Sequence, residues 1–348
     1  GSHTDYNLGY VMTMTIDRDT WIIARSRDDS KVHIHSLNIE GEGNFELTNI
    51  KHSQRAPWSN YVRGMALVMQ NAGYTIKGFD GLVHSTVPFG SGLSSSAALE
   101  MATAVLFREL GGFELEPVEM ALIGQAAENE FVGVNTGILD QYSSAMGQAG
   151  CSLLLDCREL TSENVRIAPG LAVVICDTRA KRNLVGSEYD DRRAECEAGV
   201  DISQQQNPAV NALRDVNVAD FDGYAAGMSD VVAKRCRFII EENQRVLDLG
   251  VALTAGDRTA LAKLFDDSYV GARDLFEIGA PSMQMMIEAM RAAPGIVAAR
   301  QAGAGFGGCM VALVNEEAVA TFSEHVATAY AAASDIEPRI FAVSAAAG

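Results

Sequence analysis

The most informative stretch of the sequence is Pro88-Phe-Gly-Ser-Gly-Leu-Ser-Ser-Ser-Ala-Ala-Leu-Glu100. It follows a strand predicted over Gly81–Thr86 and opens a helix predicted over Ser95–Leu110, where apolar residues recur at helical spacing. Gly90 and Gly92 can adopt positive φ and allow a ligand to approach the backbone closely. The stretch therefore predicts a tight turn between a strand and a helix.

Three hydroxyl side chains lie at the start of that helix, where unpaired N–H groups and the positive end of the helix dipole favour an anion. An ordinary Gly/Ser turn with a serine cap is the alternative, but the length of the string favours a phosphate site. No G-x-x-x-x-G-K-[ST] motif occurs, so the chain is not a P-loop protein. The residues expected to hold phosphate are Gly90, Ser91, Gly92, Leu93, Ser94, Ser95 and Ser96.

The composition indicates a globular protein and excludes several function classes. With 348 residues, 48% of them hydrophobic, the chain can bury a sizeable core in two domains. The net charge of −18 argues against nucleic-acid binding, so a phosphate site must be built locally. Six scattered cysteines without a C-x-x-C pair predict free thiols in a reducing cytosol. We expect a cytoplasmic protein with no membrane partner, because neither a membrane-spanning run nor a signal peptide is visible.

The remaining chain alternates strands and helices. A boundary near residues 164–171 divides it into predicted domains 1–167 and 168–348. The other predicted strands are Trp21–Arg25, Lys31–Ser36, Cys151–Asp156, Leu171–Cys176, Cys309–Asn315 and Arg339–Val343. One further helix is predicted to begin at Pro117 and run towards Phe131. The other predicted helices are Lys234–Leu249, Asp257–Asp267, Ser282–Ala292 and Glu316–Ala333.

A second glycine loop, Gly303-Ala-Gly-Phe-Gly-Gly-Cys309, formally contains G-x-G-x-x-G. A dinucleotide site requires a helix directly after such a loop, whereas here the strand-like Met310–Val314 follows. A glycine-rich hairpin is the plain alternative.

Two acidic residues stand out by their context. Glu128 lies at the end of a predicted helix, and Asp140 follows a glycine-containing turn that could bring both to one cleft. Two carboxylates in one cleft can bind a divalent cation or accept a proton. Taken alone, either residue is more simply explained as a solvated charge or a helix cap.

The whole Pro88–Glu100 string resembles the central motif of the GHMP kinases, and its three serines with Ala-Ala-Leu-Glu are most similar to the galactokinase branch. Gly303–Cys309 resembles the third motif of that family, which packs beside the phosphate loop. The resemblance implies an ATP-dependent kinase acting on the C1 hydroxyl of a galactose-like monosaccharide. It also implies an α+β fold with a ribosomal-protein-S5-domain-2-like N-terminal domain and a ferredoxin-like C-terminal domain, with both substrates in the cleft between them.

The same resemblance assigns roles to individual residues. The segment from Glu128 to Gln141 is similar to the family string A-E-N-x-F-V-G-V-x-C-G-I-M-D-Q, although Thr136 and Leu139 depart from it. By that match Asp140 is the catalytic base, Glu128 and Ser96 bind the cofactor Mg²⁺, and Gly137 belongs to the substrate site.

The sugar-binding residues are implied by two further matches. Gly1-Ser-His-Thr-Asp-Tyr-Asn7 resembles the galactokinase signature G-E-H-T-D-Y-N, which implies that His3 and Asp5 contact the sugar. Ser2 stands where the signature has Glu, so either preference at the hydroxymethyl end of the sugar differs or Gly1-Ser2-His3 derives from a cleaved tag. A catalytic arginine of the family precedes this motif and is not in the sequence. Tyr189, within a stretch similar to S-E-Y-N-x-R-R-x-E-C-E, is expected near the sugar.

Several departures keep other substrates open. The Pro281 stretch differs from P-E-L-D, and Ser2 departs from the signature. Lys181-Arg182 lies in a K-R-x-L segment that matches the galactokinase branch, and Phe238 and Tyr269 replace histidines within two other matching segments. A GHMP kinase acting on galacturonate, arabinose or N-acetylgalactosamine is one alternative, and a non-catalytic galactose and ATP sensor is another. We expect a monomer or weak dimer.

Overall fold

The computed structural model describes residues 1–180 and 186–348, leaving the side chains of residues 186 and 187 aside. Lys181 and Arg182 therefore lie outside the described residues. The strands are β1 Tyr10–Thr13, β2 Thr20–Ser26, β3 Lys31–Ser36, β4 Phe45–Glu46, β5 Phe79–Ser85, β6 Cys151–Asp156, β7 Thr161–Arg166, β8 Leu171–Asp177, β9 Ile296–Gln301, β10 Cys309–Asn315 and β11 Arg339–Val343. The α-helices are α1 Ser59–Asn71, α2 Ser95–Gly111, α3 Pro117–Ala126, α4 Leu139–Met146, α5 Gly186–Gln206, α6 Phe221–Ala225, α7 Asp230–Ala255, α8 Arg258–Asp274, α9 Pro281–Arg291 and α10 Val319–Ser334.

The division into domains 1–167 and 168–348 stays a prediction, and the chain forms two compact units that are each built from discontinuous segments. Unit 1 contains residues 1–14, 90–93 and 148–346, and unit 2 contains residues 15–89, 94–147 and 347–348. The physical reason is strand pairing, because β1 pairs with β6 and β6 pairs with β7, both antiparallel. The first strand is thereby joined to segments that lie far along the chain.

Unit 2 is a four-stranded sheet covered by helices. The strand order is β2-β5-β3-β4, with β3 and β5 parallel and the other pairs antiparallel. Alternate residues of β3 are buried, as a sheet with one covered face requires. Val32 and Ile34 pack with Met65 of α1 and Phe107 of α2 in one buried cluster. This core supports the start of α2, which the predicted phosphate-binding string Gly90–Ser96 enters.

Unit 1 contains two antiparallel sheets, ordered β1-β6-β7 and β11-β8-β10-β9. In the larger sheet, Val174 and Cys176 of the central strand β8 pack with Met290 of α9 and Phe322 of α10. A second cluster joins Cys196 of α5 with Phe221 of α6, Phe238 of α7 and Phe276, which follows α8. All six cysteines are free thiols, five of them buried and Cys151 half-buried.

Two helical predictions needed correction. The helix that begins at Pro117 ends as an α-helix at Ala126 and continues as a π-helix, Ala127–Val132. The predicted helix Glu316–Ala333 begins instead with a 3₁₀ turn, Glu316–Ala318. A π-helical turn is rare and often occurs at functional sites, and this one carries Glu128. Within residues 1–180 and 186–348, no helix combines the length and apolar character needed to cross a bilayer.

Candidate active site

The glycine–serine string adopts the backbone that its glycines predict. Gly90 has φ 67° and Gly92 has φ 85°, and Ser94 also adopts a left-handed conformation with φ 63° at the N-terminus of α2. A left-handed serine is strained, and such residues cluster at ligand-binding turns. Residues 90–93 belong to unit 1, whereas Ser94 and the whole of α2 belong to unit 2. Ser95 and Ser96, both half-buried, form the first turn of α2.

The second glycine loop packs directly against the first within unit 1. The backbone N–H of Cys309 donates to the carbonyl of Ser91 at 3.0 Å. Gly303 has φ 70°, and a Cβ built there would lie 3.0 Å from the carbonyl oxygen of Gly92. Only glycine tolerates both conditions without strain. The predicted position of the second glycine loop beside the Gly90–Ser96 string is confirmed.

His3 is buried, and both of its ring nitrogens have partners within unit 1. The hydroxyl of Tyr6 donates to Nδ1 at 2.8 Å, and Nε2 donates to the carbonyl of Ala304 at 2.9 Å. The tautomer is assigned from these partners. Burial is the main cause that lowers the pKa of His3 to about 4, so the ring is neutral at pH 7. His3 thus links the N-terminal motif to the second glycine loop.

Aromatic side chains surround His3. Its ring centroid lies 5.1 Å from that of Tyr189, 5.6 Å from that of Tyr6 and 4.9 Å from that of Phe276. Burial raises the pKa of Tyr6 well above its ordinary value, and the charge of Asp5 adds to this effect. The structure therefore brings the predicted sugar residues His3, Asp5 and Tyr189 into one neighbourhood of unit 1.

Ser2, the departure from the signature, is also held by its neighbours. Its hydroxyl accepts a hydrogen bond from Arg300 at 2.6 Å, and its N–H donates to Glu242 at 3.3 Å. Burial alone would raise the pKa of Glu242, but Arg300 and Arg245 outweigh it and hold that pKa well below its usual range. The serine thus completes a buried ion-pair network.

Glu128, the predicted Mg²⁺ ligand, is buried in the π-helix of unit 2 and is 4% exposed. Its Oε2 accepts hydrogen bonds from Thr136 Oγ1 at 2.9 Å and from Gln141 Nε2 at 2.8 Å. Asn129 accepts a hydrogen bond from the backbone of Thr136, which fixes the turn after the π-helix. Thr136, a departure from the family string, thereby supplies a hydroxyl donor to the carboxylate.

A second carboxyl group, Glu100, lies beside Glu128. It is fully buried on α2, and its Oε2 accepts a hydrogen bond from Gln141 Nε2 at 2.9 Å. Burial, then the charge of Glu128, raises the pKa of Glu100 well above its ordinary value, and Asp140 contributes in the same direction. The same two effects raise the pKa of Tyr61 to about 12, with burial again first and Glu128 second. Negative charge is concentrated in this part of unit 2.

Asp140, the predicted base, lies in the first turn of α4 and is half-buried. Gly137, the predicted substrate contact, is buried just before that helix. Asp140 and Glu128 both affect the pKa of Glu100, so the turn between them brings the two acids into one region of unit 2. Glu100 also lies one helical turn after Ser96 on the same face of α2.

The residues present fit a Mg²⁺ ion that is bound together with phosphates. Among the described residues, no three His, Cys, Asp or Glu side chains converge to hold a metal by themselves. Mg²⁺ is ordinarily bound by one or two protein carboxylates plus substrate phosphates and water. Glu128, with the hydroxyl of Ser96 at the helix start, would provide that kind of partial site.

Four residues were not predicted from the sequence: Glu100, Gln141 and Thr136 near Glu128 in unit 2, and Tyr6 beside His3 in unit 1. Glu100 offered a signal, because a charged residue one helical turn after Ser96 lies among apolar residues of α2. Gln141 offered none beyond its position next to Asp140.

Models of the GHMP kinase family match both halves of the chain. The model described as the GHMP kinases N terminal domain matches residues 60–148, and the GHMP kinases C terminal model matches residues 251–332. The crystal structure of a mevalonate kinase, 17% identical, superposes with a TM-score of 0.65 over 99% of this chain and 95% of its own. The α+β fold and the serine-rich helix start together define the GHMP class of small-molecule kinases.

More similar relatives identify the branch. The galactokinase of Roseiflexus sp. (strain RS-1) is 41% identical over 330 residues, covering 95% of this chain and 84% of the relative. The galactokinase of Chloroflexus aurantiacus is 39% identical over 331 residues, covering 95% of this chain and 85% of the relative. The Lactococcus lactis galactokinase, solved with galactose, superposes with a TM-score of 0.96 at 33% identity, covering 100% of this chain and 91% of its own. A galactokinase galactose-binding signature matches residues 1–26. The chain belongs to the galactokinase family.

Proposed function

We propose that this chain transfers the γ-phosphoryl group of ATP to the C1 hydroxyl of D-galactose, producing galactose 1-phosphate and ADP. The observation that carries the proposal is the grouping in unit 2, where Glu128 and Asp140 both act on Glu100, one turn beyond Ser96. Galactokinase relatives and a galactose-bound relative favour galactose as the acceptor.

The string from Gly90 to Ser96 would bind the nucleotide phosphates. Its glycines allow close approach of backbone N–H groups, and the start of α2 contributes the positive end of its dipole. This arrangement attracts an anion even though the chain carries a net charge of −18. Glu128 and Ser96 would hold Mg²⁺, which when bound neutralises charge on the phosphates.

Asp140 would act as the general base. Its carboxylate accepts the proton of the C1 hydroxyl while that oxygen forms a bond to the γ-phosphorus. The bond from the γ-phosphorus to the bridging oxygen breaks, and ADP leaves with the electron pair. A positioned base of this kind typically contributes about 10²–10⁴-fold to the rate.

The N-terminal motif and Tyr189 would recognise the sugar. The Asp5 carboxylate suits pairs of sugar hydroxyls, because it only accepts hydrogen bonds when ionised. His3 donates to Ala304 and accepts from Tyr6, so its contribution is to order the turn that presents Asp5. Tyr189 stacks near that ring and offers an apolar face to a pyranose. Gly137 would contact the sugar through its backbone.

Mg²⁺ as the cofactor, a cytoplasmic location and a monomeric or weakly dimeric state complete the proposal. The six free thiols suit a reducing compartment. The acidic surface implied by the net charge disfavours nucleic acid as a partner.

The test is sugar-dependent release of ADP in a coupled assay, with galactose, galacturonate, arabinose and N-acetylgalactosamine as acceptors. We expect the highest kcat/KM with galactose and a ³¹P NMR signal of the anomeric phosphate. If another sugar gave a higher kcat/KM, that sugar rather than galactose would be the preferred acceptor. Binding of galactose and ATP without ADP release would instead favour the sensor alternative.

A further inference from the structure

The side-chain amide of Gln141 bridges two buried carboxyl groups in unit 2. Its Nε2 donates to Glu128 Oε2 at 2.8 Å and to Glu100 Oε2 at 2.9 Å, and the three residues are 0–4% exposed. The three side chains come from different elements, Glu100 from α2, Glu128 from the π-helix and Gln141 from α4. One amide therefore ties three helical segments together.

The bridge orients the carboxylate of Glu128. Thr136 and Gln141 both donate to Oε2, and no donor among the described residues reaches Oε1. Two donors on one oxygen restrict rotation of the carboxylate and leave the other oxygen for a ligand. Partners of this kind commonly fix the orientation of a metal ligand and raise its affinity for the ion.

Glu100 holds Gln141 in place for this task. Apart from Gln141, no hydrogen-bond partner of its carboxyl lies among the described residues, and its Oε1 is buried without one. A buried carboxyl with so few partners is unfavourable compared with an apolar side chain of similar size. Glu100 also follows Ser96 by one turn of α2, so the bridge couples the helix that carries Ser96 to the one that carries Glu128.

We propose that Glu100 and Gln141 are positioning residues, which hold Glu128 so that it and Ser96 bind Mg²⁺ beside the nucleotide phosphates. This inference rests on the proposed function, in which Glu128 is a Mg²⁺ ligand. It adds that the affinity for the metal depends on two side chains that do not touch the metal.

The test measures binding of Mn²⁺, as a spectroscopic substitute for Mg²⁺, to the full chain saturated with a non-hydrolysable ATP analogue. The loss of the free Mn²⁺ signal in electron paramagnetic resonance gives the dissociation constant. We expect Gln141→Met to raise that constant about 10- to 100-fold. Glu100→Met should raise it less, because Gln141 keeps its bond to Glu128. Glu100→Gln, which still accepts from Gln141, should stay within about twofold of the unchanged chain.

Thr103→Val is the matched control, because Thr103 is a buried polar residue of α2 whose hydroxyl, within the described part of the chain, bonds only to the backbone of Leu99. It should lower thermal stability without changing Mn²⁺ affinity. Steady-state kinetics give a second readout. Gln141→Met should raise the Mg²⁺ concentration needed for half-maximal rate, with KM for the sugar unchanged.

Glu128→Gln separates the two levels of the proposal. If it loses Mn²⁺ while folded Gln141→Met binds Mn²⁺ like the unchanged chain, the positioning role is wrong and the proposed function stands. If Glu128→Gln retains Mn²⁺, the metal assignment fails, and the positioning role fails with it. Should Gln141→Met not fold, Gln141→Asn takes its place, because the shorter side chain withdraws its amide nitrogen from both carboxyl groups.

Discussion

Two buried clusters, one in each unit, hold their polar side chains in opposite ways. In unit 1 the neighbourhood of His3 is neutral and aromatic, and both ring nitrogens of His3 are satisfied by Tyr6 and Ala304. In unit 2, Glu128 and Glu100 share one amide donor and Asp140 acts on the pKa of Glu100, and among the described residues one buried oxygen each of Glu100 and Gln141 has no hydrogen-bond partner. A satisfied neutral cluster suits recognition of a neutral sugar, whereas crowded carboxyl groups suit a cation and a proton acceptor.

The largest expected effect concerns the crowded carboxyl groups. Glu128→Gln removes the charge that binds Mg²⁺ but keeps the size of the side chain. Because metal stabilisation of transferred phosphate is worth several kcal/mol, we expect kcat to fall about 100-fold or more. Steady-state assays at saturating ATP and galactose measure it. A variant with nearly unchanged kcat across Mg²⁺ concentrations would show that the acidic cluster does not serve a cation.

The second prediction concerns the neutral cluster and its response to pH. The pKa of His3 is about 4 in the folded chain, lowered mainly by burial, and about 6.5 in an unfolded one. Between these values the unfolded chain binds the extra proton, so stability declines as pH falls from about 6.5 to 4. The full difference is about 3 kcal/mol. Urea unfolding at pH 7 and pH 4.5 measures it.

His3→Gln is the control for that measurement, because it keeps a hydrogen-bonding side chain without a titrating ring. The acid-induced loss of stability should be smaller in this variant by most of the 3 kcal/mol. Equal losses in both proteins would mean that His3 is not the group that responds to acid.

Gln301 sharpens the comparison, because it is a buried amide in unit 1 with neither Nε2 nor Oε1 partnered among the described residues. It shares the sheet with Met310, its neighbour across β9 and β10. Gln301→Met should raise the free energy of unfolding by about 1–3 kcal/mol, since it removes two unsatisfied polar atoms. Gln141→Met should instead lose metal affinity. Destabilisation by Gln301→Met would show that this amide also has a hidden partner.

The smallest expected effect is that of Tyr6→Phe, which removes the hydroxyl that donates to His3 Nδ1. The lost hydrogen bond should cost about 1 kcal/mol of stability. We expect a few-fold increase in KM for the sugar with kcat nearly unchanged, because the N-terminal turn becomes less ordered. A kcat effect larger than the KM effect would place Tyr6 in the chemistry rather than in recognition.

Much of the fold followed from the sequence, because its strongest signals are local. The strands at Lys31–Ser36 and Cys309–Asn315 were predicted at their observed bounds, since their apolar patterns and flanking turns are clear. The π-helix that carries Glu128 was not, because helical periodicity does not reveal one extra residue in a turn. The discontinuous make-up of the two units was not foreseen either, because the pairing of β1 with β6 joins distant segments.

The candidate site shows the same limit. Motif resemblance indicated Glu128 and Asp140, and the structure places both beside Glu100. The bridge through Gln141 could not be predicted, because side-chain hydrogen bonds between three helices depend on packing rather than on spacing.

The central claim is that Asp140 accepts the sugar proton during phosphoryl transfer. Its most direct test is a single-turnover reaction of Asp140→Asn with γ-labelled ATP and galactose, together with a measurement of nucleotide affinity. The account predicts unchanged ATP binding and a transfer rate lower by about 10²–10⁴-fold. Transfer at the rate of the unchanged chain would contradict it.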